Sequence, residues 1–282
     1  MRLKSVFLVI AIFLAGLWAV SPIAPGQTNQ PLSQAGAPSK VINIVHEALI
    51  PGKESAYADL LARIADSYSR AKIPVYWLTS QSLTGSPDAM SLNFLDSFAD
   101  AETVLHALGE AMVAHPELMP LQERLLGYTR GVTNALAVRR DDVGYRANTI
   151  DLRKARILRV ATVVVRQGYE SEFAEAMKDL SVAYARVNAD SPWVLYQVNA
   201  GAPATTFVFI MPMRSLKEMD DYIGRAKRLR DAEGKTVEGR MEEIARTAYV
   251  SWDSEIYALN PQDSHVREDF AAGNPSFWKP KK

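Results

Sequence analysis

The feature that most constrains the fold of this chain is an internal repeat at an offset of 116 residues. Pro51-Gly52-Lys53-Glu54-Ser55-Ala56-Tyr57 aligns with Gln167-Gly168-Tyr169-Glu170-Ser171-Glu172-Phe173. At the same offset Tyr57 meets Phe173, Leu61 meets Met177, Ile64 meets Leu180 and Tyr68 meets Tyr184. Spacings of 4, 3 and 4 are the apolar stripe of an amphipathic helix. The turn Gly85-Ser86-Pro87 matches Gly201-Ala202-Pro203, again 116 apart, and Ser97-Phe98 matches Ser215-Leu216 at 118. A chain that keeps a turn, a stripe and a second turn in step is built from two copies of one unit.

Each copy reads β-α-β-β-α-β. The first strand is expected at Val41–Ile50 and Ile157–Val165, and the striped helix at Glu54–Arg70 and Ser171–Val187. Strands two and three flank the Gly-x-Pro turn, at Val75–Leu83 and Ala89–Leu95, then at Trp193–Asn199 and Thr205–Met211. A long helical region follows, broken by Pro116 and Pro120 in the first copy, and the last strands fall near Thr133–Arg139 and Ser254–Leu259. This is a ferredoxin-like order, whose sheet carries helices on one face and leaves the other in need of cover. Two tandem copies supply that cover to each other, so the expected fold is α+β, with two ferredoxin-like repeats closing into an intramolecular α/β-barrel. The expected divisions are a signal segment at 1–26, a flexible lead-in at 27–40, repeats at 41–146 and 155–260, and a C-terminal tail at 261–282.

The export reading rests on Arg2 and Lys4 ahead of an apolar run from Val6 to Val20, followed by Pro22, Pro25 and Gly26. That run is short for a spanning helix, so a cleaved secretory signal, an exported (periplasmic or secreted) protein and no stable membrane span after cleavage are expected. Lys+Arg and Asp+Glu are equal at 32 each, which removes the charge argument for nucleic acid. The chain has no cysteine, which rules out disulfides, thiol nucleophiles and zinc–thiolate sites. It carries no phosphate-cradling, dinucleotide or nucleophile-elbow motif, and no pair of histidines at metal-ligand spacing.

Several segments together resemble the dimeric α/β-barrel superfamily, which includes antibiotic-biosynthesis monooxygenase-type and NIPSNAP-type domains. They are Pro74-Val75-Tyr76-Trp77-Leu78, Asp96-Ser97-Phe98-Ala99, Val143-Gly144-Tyr145-Arg146, Gln167 to Phe173, Trp193 to Val198 and Asn274-Pro275-Ser276-Phe277-Trp278. More closely, the chain resembles exported bacterial proteins with two such domains. The resemblance implies a barrel and no single chemistry, because that superfamily hosts haem degradation, cofactor-free oxygenation, isomerisation and plain binding.

Candidate site residues follow from strand parity. If the helix-covered face is the more apolar one, Asn43, Val45, Glu47 and Arg159 point into the barrel, while Ile42, Ile44 and His46 lie under the helices. The same parity adds Trp77 and Gln81, and Gln197 and Asn199. Asn43, Glu47, Trp77, Gln81, Arg159, Gln197 and Asn199 are therefore the expected ligand-binding set, with a Glu47–Arg159 pair across the pseudo-dimer as the plainer alternative. His46 reads as a structural histidine. The run Arg225-Ala226-Lys227-Arg228-Leu229-Arg230, followed at once by acids, reads as a solvated helix face. Phe270, Phe277 and Trp278 are expected to strap the tail onto the body. The functional expectation is a non-catalytic binding protein for a small, largely apolar ligand in the barrel interior, with no cofactor. A cofactor-free oxygenase or haem-handling enzyme, and a structural or homo-oligomer-forming module, are left open.

Overall fold

The structure is a computed structural model that describes residues 36–233 and 235–279. The segment read as an export signal, Met1 to Gly26, and most of the lead-in lie outside the described residues. The first repeat comprises β1 (Val41–Leu49), α1 (Glu54–Ala71), β2 (Trp77–Ser82), β3 (Asp88–Leu95), α2 (Phe98–Ala114), α3 (Met119–Leu126) and β4 (Thr129–Arg139). The second comprises β5 (Ile157–Val165), α4 (Glu170–Arg186), β6 (Val194–Ala200), β7 (Thr206–Met213), α5 (Lys217–Glu233), α6 (Lys235–Ala248) and β8 (Tyr249–His265). Two short helices, α7 (Glu268–Ala272) and α8 (Pro275–Trp278), end the described chain. β5 begins and ends 116 residues after β1, and β7 begins and ends 118 after β3, so a two-residue length difference sits in the β6–β7 turn.

The eight strands form one closed antiparallel barrel in the order β1-β3-β2-β8-β5-β7-β6-β4. Each repeat supplies a ferredoxin-like sheet, and the last strand of each closes onto the second strand of the other: β8 on β2 and β4 on β6. Closure leaves neither sheet with an open face. The fold is thus two tandem ferredoxin-like repeats making an intramolecular α/β-barrel.

All eight strands send aliphatic or aromatic side chains into the lumen, among them Ile42, Ile44, Leu78, Met90, Ala137, Leu158, Val160, Tyr196, Ile210 and Leu259. This corrects the expected parity. Ile42 and Ile44 fill the barrel, while Asn43, Val45 and Glu47 lie on the other face of β1, where Glu47 meets Tyr57 of α1. Likewise Leu158 and Val160 point inward and Arg159 points to the helices. The lumen is walled by sheets whose backbone groups are already paired, so it takes the more apolar face of each strand. The helix-covered face has tyrosine hydroxyls and open ends, and it tolerates the polar residues. The interior is accordingly a packed core, not a ligand chamber.

Two further cores lie under the helices, one around Tyr57, Leu61, Ile64 and Tyr68 of α1, the other around Phe173, Met177 and Tyr184 of α4. β8 runs past Pro261, beyond the strand end expected near Leu259. Thr79 faces Asn260 and Trp77 faces His265, so residues 261–264 bulge out of the β2 ladder, and a proline with no N–H is tolerated there. The tail then straps across one end of the barrel. Trp278 is buried and donates its indole N–H to the Arg153 carbonyl at 2.9 Å, and Arg156 lies 3.6 Å from the Phe277 ring centroid. Among the described residues no helix is long and apolar enough to cross a membrane.

Candidate functional site

The seven expected site residues do not converge. Asn43, Glu47, Trp77 and Gln81 lie under α1 in the first repeat. Asn43 donates to Asn93 at 3.0 Å, Trp77 donates to the Asp263 carbonyl at 2.8 Å, and Gln81 reaches the Asp263 carboxyl at 3.4 Å. Arg159 lies under α5 in the second repeat, Gln197 accepts from Arg140 at 2.9 Å, and Asn199 is exposed near the far end of β6. Glu47 and Arg159 therefore stand on opposite outer faces of the barrel and do not pair. The alternative of a cross-interface ion pair is overturned by the same parity, which turns both side chains away from the lumen. His46, placed under the helices by the sequence reading, sits on the lumen face at the barrel mouth, with Nδ1 3.0 Å from Asp88 and Tyr257 hydrogen-bonded to the same carboxyl.

The first-repeat layer is acidic, and Asn43 Oδ1 is buried there without a donor. Tyr57 is fully buried and donates to the Glu47 carboxyl, which burial pushes up to about 7. Burial likewise raises Asp263 to about 7, against the pull of its hydrogen bond from Asn260. Neither acid has a basic partner among the described residues.

The second-repeat layer is the opposite. The ladder places Ile256, Arg159 and Met211 side by side across β8, β5 and β7, and Trp193, just before β6, continues that row. Strands spaced ~4.8 Å apart put Arg159 and Trp193 ~10 Å from each other. Tyr222 and Arg225, three residues apart on α5, project from one helix face onto this row. The Tyr222 ring centroid is 4.6 Å from the Arg159 guanidinium carbon and 5.6 Å from that of Arg225. Arg225 is 2 % exposed, and its Nε and Nη2 find no hydrogen-bond acceptor, as does the Trp193 indole N–H. Arg225 does bond the Tyr184 hydroxyl, whose pKa burial holds at about 12, so that phenol stays protonated at neutral pH. Arg159 has Ser254 at 3.3 Å.

Sequence reasoning places Arg159 in the set and misses Arg225 and Tyr222; strand parity groups Trp193 with Gln197 and Asn199 but leaves it out of the binding set. Arg225 belongs to a basic run that reads as solvated; Lys227, Arg228 and Arg230 are exposed as expected, but Arg225 is not. Its distinguishing signal is the spacing to Tyr222, an aromatic–arginine pair on the face that must cover the sheet.

Chemically, two guanidinium groups flank one phenol ring, and among the described residues no carboxylate is bonded to either. A buried cation left without a partner costs about 3–5 kcal/mol, so the arrangement calls for an anion. A histidine-ligated haem does not fit here, because His46, His106, His115 and His265 all lie in the first repeat or against it. Among the described residues no cluster of three metal-ligating side chains occurs.

No protein-family model matches the chain, and no curated protein matches it in sequence. Solved structures share its fold. An anthrone oxidase-like protein superposes with a TM-score of 0.52 at 15% identity, covering 78% of this chain and 92% of its own. A proposed monooxygenase from Fusobacterium nucleatum superposes with a TM-score of 0.50 at 10% identity, covering 78% of this chain and 91% of its own. A chlorite dismutase variant from Candidatus Nitrospira defluvii has a TM-score of 0.48 at 10% identity, covering 80% and 93%. At these identities the likeness extends to the fold, the dimeric α/β-barrel.

Proposed function

We infer that the protein binds a small aromatic acid between the second half-sheet and helices α4 and α5. The observation that carries this reading is Arg225, a buried guanidinium with two unbonded nitrogens beside Arg159 and Tyr222. A carboxylate, phenolate or enolate satisfies both arginines. Tyr222, whose ring lies beside both guanidinium groups, offers an aromatic surface to a flat ring, and the buried Trp193 indole N–H supplies an unpaired donor in the same row. The ligand class thus moves from the largely apolar molecule expected in the lumen to an anion held outside it.

The test compares 2-naphthoate with the neutral 2-naphthalenemethanol in thermal unfolding of the intact chain. The acid is expected to raise the midpoint and the alcohol to leave it, since saturation at a hundredfold excess over Kd adds about 2.7 kcal/mol. Arg225→Met is expected to remove the response to the acid without lowering the melting temperature of the free protein. Equal responses to acid and alcohol, or an unchanged response in Arg225→Met, count against the reading.

A second reading is catalytic. Two proteins of this fold are described as an anthrone oxidase-like protein and a proposed monooxygenase. A site that binds a phenol or enol as its anion holds it in the electron-rich form that dioxygen oxidises. Oxygen uptake with an anthrone as substrate, abolished by Arg225→Met, separates this reading from binding alone.

A further inference from the structure

A cavity of about 80 Å³ lies at the strapped end of the barrel. Its walls are mainly Tyr76, Trp77, Phe94, Val104, His265 and Phe270, so β2, β3 and α2 form one side and the tail forms the other. The tail is tied down on both sides of this space. Before it, Trp77 donates to the Asp263 carbonyl at 2.8 Å and His265 Nδ1 lies 2.7 Å from the Val75 carbonyl. After it, Asn274 and Trp278 both donate to the Arg153 carbonyl. The cavity is framed by two anchors and is not a frayed end.

Its polar inventory is short. The Asn93 amide is committed on both sides, accepting from Asn43 and donating to the Tyr76 carbonyl at 2.9 Å. The Trp77 indole N–H is committed to Asp263. His265 is 6 % exposed and its Nδ1 faces a carbonyl, which only accepts, so Nδ1 carries the proton. Burial lowers its pKa and keeps the ring neutral, which leaves Nε2 a bare acceptor with no partner among the described residues. The ring is stacked on Tyr76 at 5.1 Å and tilted against Trp77 at 5.2 Å, so its plane is fixed.

We propose that this cavity is a binding site for a small uncharged aromatic molecule bearing one O–H or N–H donor, such as a phenol, with His265 Nε2 as its hydrogen-bond acceptor. A carboxylate is disfavoured, because it brings only lone pairs to Nε2, and Arg267, the cation in the lining, is already ion-paired with Asp269 at 2.6 Å. An apolar cavity of about 150 Å³ takes benzene whole, so this one seats part of a ring and the remainder extends toward the rim. The site is independent of the arginine layer, lying between β2, β3 and α2 of the first repeat and the end of β8 with the tail.

The test titrates the intact chain with phenol and with toluene, following the imidazole nitrogens of His265 by long-range ¹H–¹⁵N correlation. Phenol is expected to bind saturably and shift Nε2. Toluene is expected to bind about tenfold more weakly, the loss of one hydrogen bond, and to leave Nε2 in place. His265→Asn keeps a donor for the Val75 carbonyl and lacks the Nε2 acceptor, so its affinity for phenol is expected to fall to that for toluene. Val104→Phe fills the space and is expected to abolish binding of both; it decides the matter if His265→Asn does not fold. Equal binding of phenol and toluene, undiminished phenol binding in either variant, or no saturable binding by the parent chain would overturn the proposal.

Discussion

Glu47 shows how a residue's neighbours, not its type, set its behaviour. On an outer strand face it meets a tyrosine hydroxyl and no cation, and burial raises its pKa from 4.5 to about 7. Asp263 rises from 3.8 to about 7 for the same reason. Both folded values lie above the unfolded ones, so the folded state binds more protons between about pH 4 and pH 7. The stability these groups allow is fully present below their unfolded pKa and is lost as pH rises through 7. Urea midpoints are therefore expected to be higher at pH 5 than at pH 8. A tenfold change in proton affinity on folding is worth about 1.4 kcal/mol, so Glu47 alone accounts for roughly 3 kcal/mol across that window. Glu47→Gln keeps an acceptor for Tyr57 and is expected to flatten the profile and raise stability at pH 8. A profile as steep in the variant as in the parent places the titration elsewhere.

At the scale of elements, the repeat reuses turns under different constraints. Gly52 and Gly201 both have positive φ, at 82° and 93°. A side chain at Gly52 would meet open space, whereas one at Gly201 would collide with the Asn134 carbonyl and the Ala135 backbone of β4. The β6–β7 turn is pressed against β4, at the seam where the repeats join. Gly52→Ala is expected to cost about 1–2 kcal/mol, the left-handed backbone penalty alone. Gly201→Ala is expected to cost more than about 3 kcal/mol, because strain and collision add there. Denaturant unfolding of the two variants measures the difference, and equal costs would show that the seam yields. The helical stripes were legible in sequence because packing of an amphipathic helix depends on local spacing. The extent of β8 was not, because its last residues are held by β2, far away in the chain.

For the whole molecule, closure of the barrel makes the halves interdependent. Ile42, Ile44, Leu78 and Met90 from one repeat share a core with Leu158, Val160, Val194 and Ile210 from the other. Exposing that face on either half costs ~1.5–3 kcal/mol for each large side chain. Residues 41–146 and 155–260 expressed apart are therefore expected to aggregate, homodimerise or lack cooperative melts, and to recover a cooperative transition when co-expressed. Sedimentation and calorimetry of each half check this; two stable monomers would contradict the shared core.

The repeat, the element order, the helical stripes and the barrel itself could be argued from sequence, since they depend on periodicity and on matching segments within one chain. Which face of each strand lines the lumen could not. Both faces of β1 and β5 are largely apolar, and the choice depends on what lies opposite: seven other strands on one side, a helix bearing Tyr57 or Tyr222 on the other. The site followed that choice. Arg159 was recognisable as an unusual strand residue, but its companions Arg225 and Trp193 come from α5 and the start of β6, brought beside it by barrel closure and helix packing. Charge and hydrogen-bond need can be counted along a chain. Whether they are met depends on distances between remote residues, and those are settled by the tertiary fold.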